Sequence, residues 1–228
     1  LSLRRVESHF QSRCITRVEE VQDEDWEQSW KKYYRPLKIS ERLIVKPSWE
    51  EYQAGEHEVL IDLDPGMAFG TGLHPSTQFC LRFLERYIQG GEQVIDAGTG
   101  SGILAIAAAK LGAAQVLAID IDDLAVKVSQ ENVALNGLSA KIKVEQGDIK
   151  EAFRGRKADL ILANILAEVI VELIPEASTA IVSGGLLFAS GIIANAWPAV
   201  EEQLKLFGWA VEQLIQEGDW IGVAARKQ

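Results

Sequence analysis

The sequence predicts an α/β fold: an open, mostly parallel seven-stranded sheet flanked by helices and closed by a C-terminal antiparallel hairpin. Three observations predict it. From about residue 93, short apolar runs alternate with helix-length segments, the pattern of parallel strands joined by helical crossovers. The first of these runs enters its helix through Val94-Ile95-Asp96-Ala97-Gly98-Thr99-Gly100-Ser101-Gly102. The chain ends in two β-rich stretches, 209–215 and 220–225, separated by Gln216-Glu217-Gly218-Asp219, which reads as a hairpin at the sheet edge.

Strands are expected at 93–97, 115–119, 142–146, 159–163 and 186–190, and the hairpin brings the number to seven. Between them the spacing predicts helices over 103–111, 123–136, 167–180 and 195–207, with one more over 78–87. Ser76 or Thr77 is expected to cap that earlier helix, because a hydroxyl accepts from the unpaired amides of a first turn. The segment 1–58 is more charged and holds Trp26, Trp30 and Trp49. Trp26 and Trp30 are four apart and share one face of a helix expected before Pro36. Leu43-Ile44-Val45 suggests a short strand ahead of Pro47.

With 228 residues, 47% hydrophobic and 25% charged, the chain suits one large domain with an appendage. The net charge of −10 and pI near 4.9 disfavour broad electrostatic attachment to nucleic acid or anionic membrane, and suit a basic partner. Cys14 and Cys80 lie far apart and form no metal-ligand or redox spacing, as expected of reduced thiols in a cytoplasmic protein. The start, Leu-Ser-Leu-Arg-Arg, has no apolar signal-peptide core, and no uncharged run reaches the ~18 residues of a membrane span. Because the chain begins at Leu1 and its one methionine is Met67, an N-terminal segment is expected to precede it.

The glycine turn carries the first chemical signal. Gly98, Gly100 and Gly102 adopt backbone angles closed to other residues and allow close approach of a ligand; exposed amides at the start of the next helix favour electron-rich groups. Asp120 ends the neighbouring strand, where a carboxylate accepts hydrogen bonds from a ribose diol. A dinucleotide fingerprint needs a small residue at the sixth position from Gly98, and Ile103 stands there. Walker-type phosphate binding is excluded, since Gly-Lys-Ser/Thr does not occur. Asp96, Gly98, Gly100 and Asp120 are therefore candidate nucleoside-binding residues.

Two further elements point the same way. Asp64-Pro65-Gly66-Met67-Ala68-Phe69-Gly70-Thr71-Gly72-Leu73-His74-Pro75-Ser76-Thr77 is too glycine-rich for a helix, and its prolines limit its freedom. A well-turned connection accounts for Thr77 but not for Phe69 and His74 among so many glycines, so a covering role over ligand or substrate is expected. Asn164, in Ala163-Asn164-Ile165-Leu166, ends the fourth strand, at the level where open parallel sheets bind ligands.

Together these motifs, with Ile119-Asp120-Ile121-Asp122, Ser183-Gly184-Gly185 and Ser190-Gly191, resemble the PrmA family, bacterial S-adenosylmethionine-dependent methyltransferases of large-subunit ribosomal protein eleven. The resemblance covers roughly residues 25–228 and implies the Rossmann-like seven-stranded class I methyltransferase fold. It implies that Thr77, Gly98, Asp120 and Asn164 contact S-adenosylmethionine, and that Phe69 and His74 lie in the loop over the site. It implies a basic ribosomal protein as partner, with lysine side chains and the N-terminal amine as acceptors; the alternative acceptor is another amine or a small molecule. The family commonly has Cys where Thr99 stands. It also carries a small N-terminal docking domain, of which residues 1–58 would hold a remnant, a linker and the helix before the catalytic domain at 59–228.

An ammonium has no lone pair, so the acceptor must first lose a proton; a desolvated site lowers the usual lysine pKa of about 10.4. Asn164 or nearby carbonyls are the expected hydrogen-bond partners of the amine; no group stands out as a dedicated base, and His74, the one candidate, is expected rather to pack the loop or meet the cofactor edge. Base-methylating enzymes of this fold place Asn/Asp-Pro-Pro-aromatic at the fourth strand to stack the extruded base. Ile165 and Leu166 follow Asn164 here, which argues against a nucleic-acid substrate. A nicotinamide oxidoreductase is disfavoured by Ile103, and a non-catalytic adaptor by the intact glycine turn and Asp120.

Overall fold

Alternation along the strands builds a core on both faces of one sheet. In β4 (Gln93–Ala97) and β7 (Ala158–Asn164), Val94, Leu160 and Leu162 join one buried cluster. Ile95, Ile161 and Ala163 join the other, as the two-residue period of a strand requires. The computed structural model describes residues 34–64 and 70–228. The helix expected before Pro36, with Trp26 and Trp30, lies outside these residues, as do Cys14 and Phe69. Arg35–Gln228 form one compact unit.

The seven-stranded sheet adds β5 (Gln115–Asp120), β6 (Ile142–Gln146), β8 (Ile181–Ile193), β9 (Trp209–Glu217) and β10 (Trp220–Lys227). Its order is β6-β5-β4-β7-β8-β10-β9. β6, β5, β4, β7 and β8 run parallel, whereas β10 is antiparallel to β8 and β9. The chain winds outward from β4, then returns to β7, so the strand order reverses between those two. That crevice is where open α/β sheets bind ligands.

On one face lie α1 (Pro75–Tyr87), α2 (Ile103–Leu111) and α3 (Asp123–Leu135); on the other, α4 (Ala167–Ala180) and α5 (Trp197–Leu206). Residues 103–109 of α2 are all buried, which suits a helix apolar on every side. Its outer side is covered by a small sheet of β1 (Leu37–Lys38), β2 (Leu43–Lys46) and β3 (Val59–Asp62), with β2 and β3 parallel. Lys110 Nζ, at the end of α2, donates to the Leu60 carbonyl at 2.5 Å. The composition change expected after residue 58 thus falls inside this sheet, between β2 and β3.

Three elements depart from the sequence reading. Helix α1 starts at Pro75, not residue 78, and its N-cap is His74 rather than Ser76 or Thr77: the imidazole accepts from the Ser76 amide. Proline is preorganised for the first helical position, which carries both hydroxyl residues into the first turn. Strand β8 is 13 residues long because it leaves α4 directly and bulges between the pairs Ala158↔Ile181 and Leu160↔Leu186; Ser183-Gly184-Gly185 hides that continuity. The helix expected over 195–207 is a 3-10 turn at Ala194–Ala196 followed by α5.

Helix α1 crosses β10 so closely that a Cβ on Gly222 would sit 2.6 Å from Phe79 Cβ. Gly222→Ala is expected to destabilise the protein by about 1–3 kcal/mol through overpacking. Urea unfolding checks this, and an unchanged midpoint would contradict the close approach.

Candidate active site

The turn after β4 is pulled back over the end of β5. Gly98, Gly100 and Gly102 have φ of 77°, 55° and 85°, and the Gly98 and Thr99 amides donate to the Ile119 carbonyl at 2.9 and 3.0 Å. At Gly98 the conformation and the space both demand glycine: an added Cβ would meet Ile165 Cγ2 at 2.4 Å. The Gly100 amide donates to Asp120 Oδ2 at 2.9 Å and the Asp122 amide to Oδ1 at 3.1 Å. Two backbone donors thereby fix the Asp120 carboxylate, and each oxygen keeps acceptor capacity for a ligand hydroxyl.

Asp96 plays a different part from Asp120. Its side chain is fully buried; Oδ2 accepts from Thr99 Oγ1 at 2.7 Å and from the Ala105 amide at 3.2 Å. It caps α2 from the strand, in a helix whose own N-cap, Gly102, supplies no side chain. Of the amides expected to be exposed at the start of the next helix, that of Ala105 is taken by Asp96. Asp96, Asp120 and the Ile119 carbonyl take the amides of Gly98, Thr99, Gly100 and Ala105, because buried backbone donors must be paired.

The loop before α1 reaches the same turn. Ser101 Oγ donates to the Gly70 carbonyl at 2.6 Å. Four residues on, His74 Nδ1 lies 2.7 Å from Ser76 Oγ and accepts the Ser76 amide at 3.3 Å. The ring meets Trp220 edge-on with centroids 4.5 Å apart. Thr77 is buried, and its Oγ1 accepts from Asn164 Nδ2 at 3.1 Å. Asn164 Oδ1 is buried and has no hydrogen-bond partner among the described residues.

A cavity of about 310 Å³ opens here, lined by His74, Ser76, Asn164, Ile165, Leu166, Gly191 and Trp220. The fold thus brings His74, Thr77 and Asn164 together at one place, and Asp96, Gly98, Gly100 and Asp120 at another. Ile165 joins the two: it lines the cavity and abuts Gly98, and its carbonyl lies 2.3 Å from where a Gly191 Cβ would be. Sequence reasoning missed Trp220, which starts a strand 56 positions beyond Asn164 and carries no local motif. Ile121, 73% exposed beside Asp120, was likewise not singled out, because its exposure is set by the fold and carries no sequence signal.

Burial pushes the Asp96 carboxyl up to about 7; its bonds to Thr99 and Ala105 oppose the shift, and the Asp120 charge adds to it. The folded protein therefore holds this proton from about pH 4 to pH 7, and stability drawn from it is lost as pH rises through that window. Relative to Asp96→Asn, the parent protein is expected to lose up to about 4 kcal/mol between pH 4 and pH 7.5, read from paired urea unfolding curves. A difference that stays constant with pH would rule this out.

The model of the ribosomal protein L11 methyltransferase (PrmA) family matches residues 3–228. A ribosomal protein L11 methyltransferase from Syntrophomonas wolfei is 58% identical over 226 residues, 99% of this chain and 74% of that protein. One from Pelotomaculum thermopropionicum is 50% identical over 206 residues, 90% of this chain and 67% of that protein. The crystal structure of ribosomal protein L11 methylase from Lactobacillus delbrueckii subsp. bulgaricus superposes with a TM-score of 0.80 at 40% identity, covering 86% of this chain and all of that one. The fold, the glycine turn and these likenesses agree: the chain belongs to the ribosomal protein L11 methyltransferase (PrmA) family.

Proposed function

We propose that this chain transfers methyl groups from S-adenosylmethionine to amines of ribosomal protein L11, its lysine side chains and N-terminal amine. The observation that carries the reading is Asn164: its amide nitrogen is taken by Thr77, and its buried, unpartnered oxygen belongs to a cavity-lining residue beside the glycine turn. A buried carbonyl oxygen without a donor is costly, and an amine N–H satisfies it.

The residues present fit the cofactor. Asp120, held by two amides, accepts the sugar hydroxyls; Gly98 and Gly100 let the chain approach closely; exposed Ile121 offers an apolar face to the base. Asp96 supports this arrangement from beneath by fixing the turn. When bound, S-adenosylmethionine supplies a methyl group on a cationic sulfur, and transfer to an amine breaks the carbon–sulfur bond as the nitrogen–carbon bond forms.

The protein's own task is to orient the amine and to favour its neutral form. Trp220, Ile165 and Leu166 line the cavity with apolar surface, which disfavours an ammonium. Asn164 Oδ1 then accepts from the neutral amine and holds its lone pair in line, so positioning supplies much of the rate. We assign His74 to the cavity wall rather than to proton removal, because its Nδ1 is engaged by Ser76. The proton leaves to water.

Charge supports a basic protein as the partner. The net charge is −10, and exposed Glu168 and Asp219 stand close in sequence to the lining residues Leu166 and Trp220. The same charge disfavours nucleic acid. We place the protein in the cytoplasm, where its substrate is made, with 59–228 as its catalytic part together with the strands β1 and β2 of the same compact unit, and the chain before Arg35 serving substrate docking. No helix among the described residues is long and apolar enough to cross a membrane.

Titration calorimetry with S-adenosylhomocysteine is expected to show binding, and Asp120→Ala to weaken it at least tenfold, in line with ~1.5–3 kcal/mol for a charged hydrogen bond. Mass spectrometry of L11 after incubation with enzyme and cofactor is expected to show methylated amines; methylation of other amines with L11 untouched would move the acceptor assignment. Asn164→Ala is expected to lower kcat by about 10–100-fold. His74→Gln is expected to leave the shape of the pH–rate profile unchanged, and a lost basic limb would restore His74 as the base.

A further inference from the structure

Two asparagines, Asn132 in α3 and Asn136 at its C-cap, bond the end of β3 and the segment that leaves it, and of the two Asn132 also touches the glycine turn. Asn132, 2% exposed, accepts the Asp64 amide on Oδ1 at 3.1 Å. Its Nδ2 donates to the Ser101 carbonyl at 2.9 Å and to the Asp64 carbonyl at 3.4 Å. Ser101, 1% exposed, stands between Gly100 and Gly102, and its hydroxyl donates to the Gly70 carbonyl. Asp64 is itself held by Ser48, whose amide and hydroxyl each donate to its carboxylate at 2.8 Å. Ser101 is therefore bonded to Gly70 directly and linked to Asp64 through Asn132.

We infer that Asn132 and Ser101 are positioning residues for cofactor binding: a clasp that sets the glycine turn against the two backbone segments beside it. The inference rests on the reading of that turn as the S-adenosylmethionine site. An amide side chain carries donor and acceptor on two separate atoms of one rigid plane, so it fixes two backbone segments at one separation, whereas an ionised carboxylate only accepts. Glycines give the turn its shape and also leave it free to depart from that shape. The clasp supplies the restraint that the glycines lack.

Asn136 supplies the control. One helical turn later it makes the same kind of bridge, accepting the Asp62 amide at 3.1 Å and donating to the Asp62 carbonyl at 2.6 Å. Its remaining bond goes to the Asn132 carbonyl and none to Ser101. A merely structural role predicts equal effects from the two asparagines; a positioning role separates them.

The test is calorimetric titration of S-adenosylhomocysteine into Asn132→Ala, Asn136→Ala and Ser101→Ala, with thermal melts of each. Both asparagine variants are expected to lower Tm. Asn132→Ala and Ser101→Ala are expected to raise Kd at least tenfold, while Asn136→Ala stays within twofold of the parent. Parental affinity in Asn132→Ala, or an equal loss in Asn136→Ala, overturns the inference. Should Asn132→Ala fail to fold, Ser101→Ala, which removes one hydroxyl, decides alone: parental affinity there overturns it as well. A parent protein that does not bind S-adenosylhomocysteine defeats the proposed function itself, whereas a binding parent with indifferent variants defeats only the clasp.

Discussion

Everything at the candidate site depends on a carboxylate that water does not reach. Asp96 holds Thr99 and the first turn of α2 with one oxygen, and so fixes where the glycine turn leaves β4. Burying an acid is unfavourable unless its oxygens are paired, and here one oxygen pairs twice while the other has no partner among the described residues. That expense is borne at the point where strand, turn and helix must meet in one geometry. Asp120 completes the arrangement from the adjacent strand by taking the Gly100 amide, which orients its own carboxylate outward from a rigid sheet.

The second half of the site is built from parts remote in sequence. The start of α1, the end of β7, Gly191 in β8 and Trp220 at the start of β10 meet around one cavity. Ile165 is the joint, wedged between Gly98 and Gly191, where neither neighbour has room for a side chain. Parallel strands place their C-terminal ends at one edge, and β10, running antiparallel to β8, delivers its first residue to that same edge through the pair Trp220↔Ile193. The antiparallel hairpin therefore does more than finish the sheet: it supplies a wall of the cavity.

Much of this was legible beforehand. β4 and β6 match the expected limits: β4 is a short apolar run bounded by turns, and β6, at the sheet edge, alternates apolar Ile142 and Val144 with charged Lys143 and Glu145. Asp120 could be placed at a strand end by the same logic. Helix starts were less readable: Pro75 moved the first turn of α1 ahead of the hydroxyl residues that resemble caps, and an imidazole took over the capping. The bulge at Ser183-Gly184-Gly185 hid five residues of β8, since a strand that breaks its ladder loses the alternation by which it is recognised. The turn amides could not be assigned from sequence, because their acceptors are a carbonyl and two carboxylates set by packing.

By itself the sequence determined the order of strands and helices, the glycine turn, and which carboxylate stands one strand away, since each follows from local pattern and chain order. Only the tertiary structure decided that Asn164 is gripped by Thr77, that Asn132 and Ser101 tie the turn to its neighbours, and that Trp220 faces His74. Those pairs lie far apart along the chain. Their contact is set by how the strands are ordered and how closely the helices pack on them, and no local pattern of residues carries that information.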